Sequence, residues 1–317
     1  MKIPPRTLIV VCLLATWIVW GSTYLAIKYA LVSFPPFIQM GTRFLAAGSI
    51  ALAWSRMQRA PWPTRTEWRN AAILSLLMMV CGMGTTAYAE QTIASTLAVV
   101  FVACVPMLMV VFGRLFGAKP EPMELAGMAV GFVGVILLGQ GRGFGASPLG
   151  LAAMCVSVTG WALGSVLSRR QLKLAPGSMG YASEMLCGGV GLCLVSILCG
   201  EHLHTPLATS AVFAWSYLVV FGSLIAFNAY MFLLSHVRPA TASSYTLVCP
   251  VVGLTLGVTV AGEKLSGREW AASGVILLGV VLLLWGAIRR SATEGRARAD
   301  QASVNVTNPI PVNHHSR

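Results

Sequence analysis

LIVVCLLATWIVWGSTYLAIKYALV, residues 8–32, is a run of 25 residues that carries one charge, Lys28. An α-helix rises about 1.5 Å per residue and a bilayer core is roughly 30 Å thick, so the run is long enough to cross it. Lys2 and Arg6 precede it as they would a signal peptide. The run is too long for a signal-peptide core, however, and has no clean small-x-small cleavage site, so it reads as an uncleaved first span. Further apolar runs follow at 36–55, 70–90, 92–113, 121–139, 148–168, 178–199, 211–234, 240–261 and 269–288. Helix is the element they predict, because an open sheet in lipid leaves backbone groups unpaired and the runs are twice the length of barrel strands. The expected fold class is all-α: a polytopic membrane protein with ten transmembrane helices.

Composition agrees. Of 317 residues, 56% are hydrophobic and 10% charged, against about 25% charged in soluble domains. Ten spans leave no room for a soluble catalytic domain. The net charge of +12 does not point to nucleic acid, because the basic residues cluster in short loops and the tail. With the N-terminus on one side, that side receives 17 Lys and Arg, including Arg56, Arg114, Arg169, Arg170 and Arg238. The other side receives four, Lys28, Arg142, Lys264 and Arg268, and Arg43 is left inside a span. The positive-inside rule then makes both termini cytoplasmic. Residues 291–317, polar and aperiodic, read as a disordered cytoplasmic tail.

The second half repeats the first. Trp20 precedes Trp161 by 141 residues, as Lys28 precedes Arg169, Pro35 precedes Pro176 and Arg43 precedes Glu184. Pro106 precedes Pro250 by 144, and Gly134 precedes Gly279 by 145. Residues 8–140 and 148–288 thus form two five-helix repeats. Five is odd, so the second enters the membrane inverted, an arrangement associated with transporters whose substrate site lies between the repeats.

Charged groups inside spans cost about 2.5–3.5 kcal/mol each on insertion scales and mark functional sites. Arg43 lies about 10 Å deep in span 2 at 1.5 Å per residue, and Glu184 sits equivalently in span 7. They are candidates for binding the polar ends of a substrate or carrying a proton; a buried ion pair or carbonyl-capped packing is the structural alternative. Trp20, Thr23, Tyr24 and Trp161, aromatic and hydroxyl side chains in spans 1 and 6, suit a pocket for an amphipathic or aromatic solute, or else close helix packing. Tyr88, Asn228 and Tyr245 are further polar groups within spans, and Glu90 ends span 3 at the outer mouth. Glu263 reads as a helix-end anchor. Pro106 and Pro250, taken as mid-helix, are candidate hinges. All eight cysteines fall in apolar stretches and read as free thiols. Small-x-x-x-small spacings such as Gly127/Gly131 serve packing within the bundle. The only aspartate is Asp300, and no G-x-S-x-G, H-E-x-x-H or P-loop spelling occurs, so an enzyme, a metal site, a cofactor and ATP-driven pumping are not expected.

Trp20-Gly21-Ser22-Thr23-Tyr24, Pro35-Pro36 and Arg43-Phe44-Leu45-Ala46-Ala47-Gly48 resemble the opening of EamA-type drug/metabolite transporters of the bacterial inner membrane. Gly262-Glu263-Lys264-Leu265-Ser266 with Glu269-Trp270 resembles the close of each repeat in that family. The first repeat departs from this close, with Gly117-Ala118-Lys119 and then Glu121 and Glu124. The resemblance covers residues 8–288. It implies a secondary transporter with a central cavity and alternating access, whose relatives export amino acids and other metabolites. The expectation is a monomeric inner-membrane exporter of small metabolites, in contact with the lipid bilayer, with protons as a candidate coupling ion and a passive channel as the alternative.

Overall fold

The computed structural model describes residues 6–93, 98, 101–117, 121–139, 147–261, 267–268, 270–286 and 289. The expected tail 291–317 and Glu263 lie outside these. The first half contains α1 (Arg6–Ala30), α2 (Pro36–Met57), α3 (Arg65–Ala89), α4 (Val105–Leu115) and α5 (Pro122–Gly139). The second contains α6 (Pro148–Arg170), α7 (Ser178–Leu198), α8 (Thr209–His236), α9 (Tyr245–Ala261) and α10 (Trp270–Gly286). Among them α1, α3, α6, α7 and α8 are long and apolar enough to cross a membrane. Phe101–Leu115, Pro122–Leu137 and Trp270–Gly286 are shorter apolar helices.

Local chemistry sets the helix starts. Pro36, Pro122 and Pro148 open α2, α5 and α7's predecessor α6, where a missing N–H costs nothing and φ is already helical. Thr64 and Glu67 form a reciprocal capping box at α3, which satisfies two orphan donors. Two expected spans are shorter than their apolar runs. Gln91 and Thr92 lie in turns, and Cys104 interrupts the helix just before Pro106, whose ring clashes with the carbonyl four residues back. Pro106 therefore stands at the start of α4, a correction to its mid-helix reading. Pro250 does sit inside α9. Ser243 and Ser244 separate α9 from the one-turn helix Pro239–Ala242.

Leu76–Gly84 in α3 and Leu218–Phe227 in α8 are wound as π-helix. The two segments start 142 residues apart, so they occupy the same place in each half. Wide winding frees backbone carbonyls from their ordinary partners, and such segments concentrate at functional sites.

Helices at equivalent places in the two halves pack against each other head to tail. An added Cβ at Gly41 of α2 would meet Cys193 of α7, one at Gly48 would meet Leu186, and one at Gly189 would meet Leu45. Ser55 and Ser178 share a hydrogen bond of 2.7 Å. Residue number thus rises along α2 as it falls along α7. The same holds for α5 and α10, where a Cβ at Gly127 would lie 2.4 Å from Leu283 N, one at Gly279 would lie 2.4 Å from Gly131 N, and one at Gly134 would lie 2.8 Å from Ile276 N. Missing Cβ atoms let these backbones touch.

Polar contacts tie the halves together at both ends of the bundle. At the arginine-rich end, Glu124 of α5 and Arg238 form a bidentate ion pair, with Arg238 Nη2 donating to Oε2 at 2.6 Å. Arg170 of α6 donates to the Phe116 carbonyl at 2.8 Å. At the opposite end, the Glu201 carboxyl accepts from Phe37 N (3.2 Å) and Ile38 N (2.8 Å), which are the first free donors of α2 after Pro36. There His204 N also donates to Ser33 O at 3.0 Å.

Candidate functional site

A cavity of about 80 Å³ lies between the halves, room for several waters at about 10–15 Å³ of centre-accessible space each. Its lining on α1 is Trp20, Thr23 and Ile27, one helical face; on α3 it is Gly82, Met83 and Thr86; on α6 it is Ser157, Val158 and Trp161. No lining residue precedes Trp20 on α1 or follows Trp161 on α6, so the space occupies the half of the bundle away from the arginine-rich end. Tyr245 of α9 closes its floor, and Met40 of α2, Val102 and Val105 complete the wall.

The floor is a cluster of four rings. Trp20 meets Trp161 edge to face at 5.6 Å between centroids, Tyr245 at 4.5 Å and Tyr230 at 5.2 Å; Trp161 stacks on Tyr230 at 5.3 Å. Such pairs add about 0.5–1.5 kcal/mol each beyond area burial, so the floor is stiff. The two tryptophans, equivalent in the repeat, touch each other where the halves meet. Each half also supplies a donor to the other's π segment: Trp20 Nε1 donates to Gly222 O at 3.2 Å, and Ser157 Oγ donates to Gly82 O at 2.9 Å. The cavity's hydroxyls are largely engaged, Thr23 with Trp20 O at 2.7 Å and Thr86 with Ser157 at 2.6 Å. Trp161 Nε1 makes no hydrogen bond of good geometry, although it lies close enough to the Tyr230 hydroxyl to interact with it.

The expected site residues divide. Trp20, Thr23, Trp161 and Tyr245 come together around the cavity. Arg43 stands behind it, fully buried, with Nε donating to Ser223 Oγ at 2.7 Å, Nη1 near Met40 Sδ at 3.6 Å and Nη2 without a partner. Its guanidinium lies 5.2 Å from the Phe44 ring centroid and against Gly222. Glu184 is fully buried on the far side of the aromatic floor, and neither carboxyl oxygen has a hydrogen-bond partner. No ion pair joins Arg43 to Glu184. The α2–α7 register sets them at least about 10 Å apart, where attraction at an effective dielectric of 20 is at most about 1.7 kcal/mol. That falls short of the several kcal/mol that burying an ion costs. The ion-pair alternative is thereby removed.

Tyr88 stacks on Phe37 at 5.8 Å, and Asn228 Nδ2 donates back to Leu224 O at 2.7 Å; neither lines the cavity. Glu90 caps the end of α3, with Oε1 buried and unpartnered. The Tyr24 side chain lies outside the described ones. Sequence reasoning had not placed Ser157, Thr86, Met40 and Ser223. The spacing of Ser157 four residues before Trp161 and Thr86 four before Glu90 was the available signal. None of the eight cysteines is in a disulfide, and among the described residues no His, Cys, Asp and Glu cluster could hold a metal.

The model of the EamA-like transporter family matches this chain twice, over residues 7–140 and 148–285. The chain belongs to that family. Within EamA, it is 42% identical over 275 residues to the uncharacterized inner membrane transporter YedA of Escherichia coli (strain K12), covering 86% of this chain and 90% of the relative. It is 22% identical over 294 residues to a probable amino-acid metabolite efflux pump of Salmonella typhimurium, covering 87% and 94%. One solved crystal structure shares the fold with a TM-score of 0.74 at 21% identity, over 90% of this chain and 99% of its own. With its apolar helices and EamA membership, the chain is a membrane protein of a transporter family.

Proposed function

We propose that this EamA protein is a ten-helix secondary transporter that exports small metabolites, amino acids or amphipathic and aromatic compounds, across the bacterial inner membrane by alternating access. Residues 8–140 and 148–288 are its two inverted repeats. The head-to-tail packing of α2 on α7 and of α5 on α10 supports inversion, because equivalent helices of parallel repeats would run the same way. The arginine-rich end is cytoplasmic, with both termini there. The observation that carries the reading is the cavity at the contact of Trp20 with Trp161. It is lined from both halves, lies in the outer half and is closed from the cytoplasm by the ring cluster and the Glu124–Arg238 pair. This is the outward-facing arm of the cycle. Substrate rests on Trp20, Trp161 and Tyr245, with Thr23 and the loosely held Trp161 Nε1 as polar partners. Arg43, behind Met40 and Thr23, favours an anionic group in the cavity.

The probable efflux pump among the relatives is consistent with export of amino-acid metabolites. The test is counterflow in proteoliposomes preloaded with a panel of amino acids and aromatic metabolites. Saturable exchange of at least one solute, weakened tenfold or more by Trp20→Ala, is the expected result. Flux that shows no counterflow and no saturation identifies a channel and refutes the reading.

A further inference from the structure

Four features of Glu184 converge. It is fully buried, neither oxygen accepts a hydrogen bond, no cation among the described residues pairs with it, and it is not part of the cavity lining. A carboxylate left in this way has nothing to replace its water shell. Glu184 also lies in the half of the bundle toward the arginine-rich end, beyond the ring cluster that floors the cavity. Its repeat mate Arg43 does have a partner, Ser223 in the π segment of α8. The two equivalent positions are thus in different states: one is engaged with the other half and one is not.

We propose that Glu184 is a proton-binding site distinct from the substrate cavity, and that loss of its proton accompanies opening of the arginine-rich end, which couples the conformational cycle to the pH on that side. While the halves close over it, Glu184 is a neutral acid. When the arginine-rich end opens, water reaches the carboxyl, its O–H bond breaks and the proton leaves to that water as hydronium; reprotonation reverses the step. No other bond changes. The proton is given up to, and regained from, water on the arginine-rich side, so opening of that end is favoured as the pH there rises.

The groups around Glu184 do not substitute for this role. Tyr181 and Cys187 share its helix, and Tyr230 faces it from α8 with its hydroxyl held by Ser165 at 2.8 Å. From α2, Arg43 and Arg56 are the charged groups, and Arg56 instead donates to Ala60 O at 2.6 Å. From α3, Glu67 is tied to Thr64, and Arg65, Arg69 and Cys81 make no ion pair with Glu184. Glu90 is the other glutamate with a buried, unpartnered oxygen among the described residues.

The coupling rests on the transporter reading; the protonation does not, and the two are tested apart. Infrared spectroscopy of the full chain in liposomes at pH 7 reads protonation without any substrate. A protonated-carboxyl stretch that shifts in D2O, persists in E90Q and disappears in E184Q is expected. A stretch unchanged in E184Q, or absent from E90Q, overturns the proposal, and the E90Q arm decides alone should E184Q fail to fold. Coupling is then read with whichever solute of the panel shows counterflow. The wild-type exchange rate should change at least tenfold with the pH on the arginine-rich side, and in E184Q that dependence should disappear while exchange itself remains. A pH dependence that persists in E184Q overturns the coupling. A panel in which nothing exchanges refutes the transporter reading while the infrared result stands.

Discussion

Replacing Gly279 with Ala puts a methyl group into the α5–α10 crossing. The added Cβ would lie 2.4 Å from Gly131 N, 2.6 Å from Gly131 Cα and 2.7 Å from Gly127 O. All three are backbone atoms, so no rotamer change relieves the clash. Ordinary contact begins near 3.4 Å, and the helices must part by about 1 Å, which forfeits a quarter to a half of each dispersion contact across the seam. The cost falls at the upper end of the roughly 1–3 kcal/mol found for overpacked cores. Alanine regains about 1 kcal/mol of helix propensity, leaving a net loss of about 2 kcal/mol. Gly274, on the same helix, has nothing within 4 Å of its added Cβ, so Gly274→Ala shows only the propensity gain and stabilises by about 0.5–1 kcal/mol. Thermal unfolding in detergent, followed for both variants beside the wild type, separates the signs. A Gly279→Ala protein as stable as Gly274→Ala would falsify the head-to-tail contact of α5 with α10, and with it one of the two supports for inverted halves.

Other perturbations bear on the ends and the cavity. Arg238→Ala strands the Glu124 carboxylate, which is 3% exposed, and should cost about 3–5 kcal/mol; adding Glu124→Gln should restore most of the loss in thermal unfolding, and an additive double variant would show that the pair contributes nothing. Glu201→Ala removes both acceptors at the start of α2 and should lower stability by about 1 kcal/mol, as loss of a helix cap does, with faster amide exchange at Phe37 and Ile38. Trp161→Phe deletes a buried donor whose neighbour, the Tyr230 hydroxyl, meets it only at poor hydrogen-bond geometry. The variant should stay within about 1 kcal/mol of the wild type in stability, yet show a raised KM in counterflow if that N–H serves substrate. An unchanged KM would remove Trp161 Nε1 from the substrate contacts.

The all-helical class, the long apolar helices α1, α3, α6, α7 and α8 and the recurrence of Trp20 at Trp161 were legible because hydropathy and offset are properties of the chain itself. Arg43 and Glu184 are both fully buried within the helix bundle. What they touch was not legible, since Ser223 lies 180 residues from Arg43 and only folding selects it. Pro106 was misplaced because a proline opening a helix and one interrupting it look alike within an apolar run. The π segments leave no periodicity that distinguishes them from α winding over nine or ten residues. The Glu124–Arg238 pair was hidden for the same reason as Ser223, with partners 114 residues apart.

The matched wide windings of α3 and α8 have a mechanical consequence. In an ordinary helix each residue turns the chain by about 100° and advances it 1.5 Å, so every residue of excess winding released or taken up rotates all that lies beyond by that amount. In α3 the portion beyond is Thr85–Ala89 with Glu90 at its tip; in α8 it is Asn228–His236, which bears Tyr230. Each helix can therefore act as a screw, swivelling a carboxyl at one face and a phenol at the other while its first half stays docked.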